Sequence, residues 1–353
     1  MTTYWALFLL SILPEQRSEA LNRLFWFVVF VVMVVVIGFR FEVGCDWGGY
    51  FRMYMQSEGN LARALLIADP GYGLINWLGG YLGGGYHFVN AVCALFFVSG
   101  LLVFVRHQPL PSLALAIAIP YMTVVVAMGY TRQAVALGFL MVALTRLGYG
   151  RNISFYVLVL IGALFHKTVV VLLPLGVLGL ARGRGITNWL AFGLALWWGS
   201  FLVLESYERL WVNYVDAQMQ SQGATIRVAM NVFPAVAFLI FKKRWDEKYD
   251  DGYLWQWIAW ASILCVPLLQ IATTAVDRMA LYFLPLQVIV FSRLPLLFDE
   301  KQQALIGRLI ILGYASVLFV WLNYAVHAKC WVPYGNALGP VINKLFTSPA
   351  ISP

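Results

Sequence analysis

An all-α, polytopic membrane helix bundle is the fold class this chain predicts, and three observations predict it. Of its 353 residues, 61% are hydrophobic and only 11% charged, where a soluble domain carries about 25% charged residues. Long apolar stretches recur, and Leu24–Phe39 is uninterrupted. Trp, Tyr and Phe are abundant (14, 18 and 24), as expected where amphipathic rings anchor spans at both interfaces.

A span needs about 20 apolar residues, or fewer when flanking side chains snorkel. A short first segment covers Tyr4–Leu13, and the charged turn Pro14–Arg23 follows. The N-terminus has no basic leader or small-residue cleavage site and reads as a retained span. After Leu24–Phe39 comes the polar stretch Arg40–Asp69. Gly71–Gly85 is too short and glycine-rich for an ordinary span. It reads as a re-entrant or interfacial element, which membrane depth tolerates only inside protein or beside water. His87–Val105, Leu110–Met128 and Gln133–Leu147 read as spans. Ile153–Ala181 is either one tilted helix or two halves broken around His166–Lys167. Thr187–Leu204, Val228–Phe241, Tyr253–Val276, Met279–Phe291 and Leu309–Val326 bring the total to about eleven segments. Residues 1–353 thus form a single membrane domain, with outer-face loops expected at 40–85 and 205–227.

Orientation follows from short-loop cations. Arg106, Arg146, Arg151, Lys242–Arg244, Arg293 and Arg308 fall on one side, taken as cytoplasmic. The turns opposite hold only Arg132, Lys167 and Arg278. The net charge of +8 reads as this bias. No compact basic patch interleaved with aromatics appears, so no nucleic-acid partner is expected.

Arg40, Arg132, His166, Lys167 and Arg278 each interrupt or border apolar sequence. A charge near the bilayer centre costs at least about 2.5 kcal/mol, so such residues usually face a bundle interior and mark function. All five fall toward the outer side, which points to an anionic, phosphate-bearing substrate. Each also has a plainer explanation. Arg40, opening Arg40-x-Glu42-x-Gly44-x-Asp46, can grip phosphate oxygens bidentately, or simply snorkel. Asp46 and Glu42 can act as a general base, or solvate the loop. Asp69-Pro70-Gly71-Tyr72 is a turn by its chemistry, or the plain start of a helix. Arg132 begins a small-residue run, Ala134–Gly138, that lets another helix approach closely. His166 can relay a proton, or close a helix break, with Lys167 its interfacial neighbour. Asp277–Arg278 is an internal ion pair, or leaves the arginine available to a ligand.

The four cysteines show no metal spacing. Cys45 and Cys330 both fall outside and could meet, but no bridge is expected. No GxSxG, Walker loop, HExxH or DxD pair occurs, so no metal or cofactor is expected.

In order, Arg40 with Gly44-Cys45-Asp46 and Tyr50, Asp69-Pro70-Gly71-Tyr72, Arg132-Gln133-Ala134, Phe165-His166-Lys167 and Arg278 with Leu281-Tyr282-Phe283 resemble the EpsG-like family of polysaccharide polymerases. These are relatives of the Wzy-type O-antigen and exopolysaccharide polymerases. Cys45 stands where a small polar residue is usual, and Asp69 replaces the usual Glu. The resemblance implies a multi-pass bacterial inner-membrane glycosyltransferase, similar to GT-C-like enzymes, with its active site toward the periplasm. Its substrates would be undecaprenyl-pyrophosphate-linked oligosaccharides, and a chain-length regulator protein is a candidate partner. The growing glycan would pass from its lipid pyrophosphate onto an incoming repeat. Arg132 and Arg278 would clamp the pyrophosphate, with Arg40 assisting. Asp46 is the first choice of base and His166 the second, while Tyr50, Tyr72 and Trp47 would stack on sugars. A lipid-linked oligosaccharide flippase shares the apolar bundle and central cations, but its two gates and repeat symmetry have no counterpart here. A membrane acyltransferase would use His166 yet leave three arginines unexplained.

Overall fold

The computed structural model describes residues 1–14, 18–178, 186–204 and 223–339. Of the expected loop 205–227, only residues 223–227 fall within it. The chain is an all-α membrane protein, and helices run in the order α1 Thr2–Ser11, α2 Glu19–Gly38, α3 Trp47–Ser57, α4 Leu61–Ile67, α5 Pro70–Tyr81, α6 Gly85–Arg106, α7 Pro111–Ala118, α8 Thr131–Gly148 and α9 Asn152–Ala163. They continue as α10 Leu175–Leu178, α11 Ile186–Leu204, α12 Ala224–Ile240, α13 Lys242–Asp246, α14 Gly252–Leu268, α15 Thr273–Ala280, α16 Pro285–Arg293 and α17 Glu300–Tyr324. Prolines open α5, α7 and α16, where the missing N–H has no helical partner to lose. Among the described residues, α2, α6 and α17 are long and apolar enough to cross a bilayer. Thr273–Phe283 and Pro285–Leu297 reach that standard together, bent by 42°.

The site's position rests on α8, which runs through the middle of the bundle against α6 and α9. A Cβ on Gly100 of α6 would lie 2.2 Å from the Gly138 carbonyl oxygen of α8, so the two backbones touch. Small-residue contacts of this kind replace the hydrophobic effect as the packing force in lipid. On the other side, Gly162 of α9 lies over Ala136.

α7 continues through Ile119–Ala127 as a π-helix. Its looser ladder leaves the Val124 carbonyl to the indole N–H of Trp331, which donates at 2.8 Å. The Tyr4 hydroxyl of α1 in turn donates to the Trp331 carbonyl at 2.6 Å. The C-terminal tail is thus wedged between α1 and the π segment. It also pairs with the outer loop: β1 (Arg40–Phe41) lies antiparallel to β2 (Gly335–Asn336), with Arg40 opposite Asn336.

Two expectations change. Cys45 and Cys330 do form a disulfide, because the ribbon and the Gly44 N–H to Cys330 O bond (2.8 Å) bring their Cα atoms to 5.1 Å. Spacing along the chain could not reveal this, since 285 positions separate them. The expected span Tyr253–Val276 ends instead at Leu268. Pro267 has no N–H and crowds the carbonyl four residues back. Asp277 and Arg278 therefore lie within the short helix α15 rather than in a turn between two spans.

Candidate active site

The break after α9 is where the cations gather. α9 ends at Ala163, and His166 opens a single 3₁₀ stretch, Lys167–Leu172. The Leu164 carbonyl in this break accepts a 2.7 Å bond from the N–H of Gly71. That contact sets the start of α5 against the break, and a side chain on Gly71 would meet Leu164 and Phe165 at 3.0–3.1 Å.

Asp69 is the N-cap of α5 but makes no capping bond with its side chain. Its carboxylate turns the other way. Arg132 Nη1 donates to Asp69 Oδ2 at 2.8 Å, and Lys167 Nζ stands 3.9 Å from Oδ1. Asp69 is 8% exposed. Burial raises its carboxyl above the ordinary carboxylate range, and Arg132 and Lys167 pull it back only in part. Both cations remain half-buried, so they face the site without being sealed from it.

The Arg132 guanidinium lies 5.7 Å from the Tyr50 ring, and that of Arg278 lies 4.4 Å from the Tyr130 ring. Gln133 Nε2 holds the Arg278 carbonyl at 2.6 Å, which ties α15 to the first turn of α8. Arg132, Lys167 and Arg278 all lie within electrostatic reach of His166. His166 Nδ1 sits 2.7 Å from the Thr168 hydroxyl and 2.9 Å from that of Tyr282. The two hydroxyls fix the plane of the ring. Asp277 forms a bidentate pair with Arg227 of α12. Of the two sequence alternatives for Asp277–Arg278, the adjacent pair gives way to this one because neighbours on a helix point in different directions.

Sequence-selected residues divide into two groups. Arg132, Arg278, His166 and Tyr50 converge, and Asp46 stands exposed at the rim within electrostatic reach of Tyr50 and Tyr130. Arg40 and Tyr72 lie away from the surface. Arg40 is 1% exposed and turned inward, donating to the Ile37 carbonyl at 2.6 Å and the Thr131 hydroxyl at 2.7 Å. It neither snorkels nor reaches the cluster, but it grips the residue next to Arg132. Tyr72 is fully buried beneath Tyr50, ring centroids 5.6 Å apart. Trp47 stacks on Phe51 at 5.4 Å.

A model of the EpsG family matches residues 23–336. The chain belongs to the EpsG family. Polysaccharide polymerisation is the general activity this membership carries. No curated protein and no solved structure matches the chain. In this EpsG protein, sequence reading passed over Asp69 as turn chemistry and Arg227 as loop. Its place in the family resemblance, where it stands for the usual Glu, and the cost of a carboxylate so close to apolar sequence are the signals that mark Asp69.

Proposed function

We propose that this EpsG protein polymerises lipid-linked oligosaccharide repeats at the outer face of the bacterial inner membrane. It would move the growing glycan from undecaprenyl pyrophosphate onto an incoming lipid-linked unit. The convergence of Arg132, Lys167 and Arg278 around the Asp69–His166 break carries this reading. A hydroxyl of the acceptor attacks the anomeric carbon, and the bond to the pyrophosphate oxygen breaks. The leaving group keeps the electron pair as added negative charge, which fixed guanidinium groups stabilise more in the transition state than in the substrate. Asp46, exposed at the rim, is the first candidate to take the hydroxyl proton, with His166 the second. Arg40 acts by holding Thr131 and so the first turn of α8.

The Cys45–Cys330 disulfide supports the outer placement, because such bonds persist in oxidising compartments. The lysines and arginines of the opposite loops agree with it. The reading takes the shorter apolar helices as spans too, giving a single GT-C-like domain of about eleven segments, with residues 40–85 as an outer-face layer.

Complementation of a polymerase-null host, scored by glycan ladder, tests the proposal. Arg132→Ala and Arg278→Ala should leave single repeats at unchanged protein level. Full ladders from both would overturn the clamp, and repeats held on the cytoplasmic face of the null strain would favour a flippase.

A further inference from the structure

At the end of the bundle opposite the Cys45–Cys330 bridge, a crevice opens between α2 and α6. Nearer the bridge the two helices are closed on each other. A Cβ on Gly38, the last residue of α2, would lie 2.8 Å from the Ala91 Cα of α6. Farther along, the Gly100–Gly138 contact holds α6 against α8 instead, and the crevice beside α2 reaches about 640 Å³. Arg23, Phe27 and Phe30 line it from α2, and Ser99, Val103 and Arg106 line it from α6. Both sets follow the i, i+4, i+7 spacing of a single helix face. Phe27 is 62% and Val103 38% exposed, so the walls are apolar and open to the bilayer. The mouth carries the two guanidinium groups, since Arg23 lies near the start of α2 and Arg106 ends α6.

The protein itself leaves both charges largely uncompensated. Arg23 has Glu19 at 4.0 Å, with both side chains mostly exposed, a geometry that contributes little. Among the described residues, no carboxylate lies within ion-pair distance of Arg106. Its guanidinium rests 5.7 Å from the ring of the buried Trp26, which steadies the cation at the mouth without neutralising it. Two such cations above an apolar slot complement a lipid, whose acyl chain covers the aromatic wall while its head group brings negative charge to the level of the helix ends. We infer that the α2–α6 crevice binds an anionic phospholipid of the adjoining leaflet, its phosphodiester held between Arg23 and Arg106. Basic pockets between membrane helices take lipid head groups in this way, and the arginine fork matches phosphate oxygens. The crevice lies at the opposite end of the bundle from the Arg132 cluster, so its occupant is a resident membrane lipid rather than the lipid-linked substrate. On the polymerase reading above, that leaflet is the cytoplasmic one.

Lipid retention by the purified full-length protein tests this. Delipidated protein is mixed with equal amounts of phosphatidylglycerol and phosphatidylcholine, and bound lipid is counted by native mass spectrometry. Phosphatidylglycerol should be preferred by about fivefold for each arginine that it contacts. Arg23→Gln and Arg106→Gln should each lower that preference about fivefold and together abolish it. Glu19→Gln and Lys301→Gln, at exposed positions, should not lower it. Ser99→Trp fills the crevice from an exposed position and leaves both arginines in place. It should expel the lipid, and it decides the question if the arginine variants do not fold. Equal retention of the two lipids would overturn the inference, as would a preference unchanged in the double arginine variant or in Ser99→Trp. Displacement of phosphatidylglycerol by equimolar undecaprenyl phosphate would also overturn it, by making the crevice a place for the lipid-linked substrate. Each readout is bound lipid rather than polymer, so the polymerase proposal fails separately, on the glycan ladders of Arg132→Ala and Arg278→Ala.

Discussion

Arg132 and Asp69, 63 positions apart, meet at 2.8 Å and lock the short outer helix α5 onto the central helix α8. A buried carboxylate is tolerated there because two cations share it, and removing one partner of such a pair typically costs about 3–5 kcal/mol.

Asp69→Asn keeps the shape and deletes the charge. Polymer yield should fall about tenfold to a hundredfold, a loss of roughly 1.4–2.7 kcal/mol in transition-state stabilisation. The double variant with Arg132→Ala should be no worse than the poorer single, since the two residues act as a unit. Ladder densitometry reads both, and additive losses would separate the residues.

The raised Asp69 carboxyl gives a pH dependence whose sign can be stated. The folded protein holds this proton more tightly than the unfolded chain. The group's contribution to stability is therefore present at low pH and declines as the pH rises through the raised value. Activity that needs the carboxylate runs the opposite way. Polymer formation in vitro should fall on acidification at a pH above that of an exposed carboxylate, and Asp69→Asn should erase this acid limb. An unaltered limb would assign it to another group.

Cys45→Ser or Cys330→Ser opens a cross-link between residues 285 apart. Loop-closure entropy for so long a loop puts the cost at about 2–5 kcal/mol. Thermal unfolding of purified protein should show an equal drop for either single variant and for the double. Asp46 adjoins the bridge, so polymer length should shorten as well.

Gly100→Val places side-chain atoms where the Gly138 carbonyl already lies 2.2 Å from a Cβ. Separating α6 from α8 should lower the amount of folded protein several-fold by immunoblot. By contrast, Glu19→Gln removes only the exposed 4.0 Å pair with Arg23 and should change stability by less than about 0.5 kcal/mol.

Much of the candidate site's geometry involves residues that the sequence already marked, because charges are so few. Arg132, His166 and Arg278 stood out against apolar neighbours, and they converge. Arg40 stood out equally, but it serves Thr131 and Ile37 in the interior, and hydropathy cannot distinguish an inward-turned arginine from one that faces a ligand. Asp69 was masked by Pro70 and Gly71, whose turn chemistry explains an aspartate without any ion pair.

Membrane class, helical fold and the identity of the exceptional cations belong to the sequence alone, because hydropathy is a local sum that each segment carries wherever it ends up. Which carboxylate meets which cation, and that Cys45 reaches Cys330, were decided only by the tertiary structure. Glycine contacts such as Gly100 on Gly138 set which helices touch, and breaks at Pro267 and His166 set where each charge points. Neither is a property of any one segment.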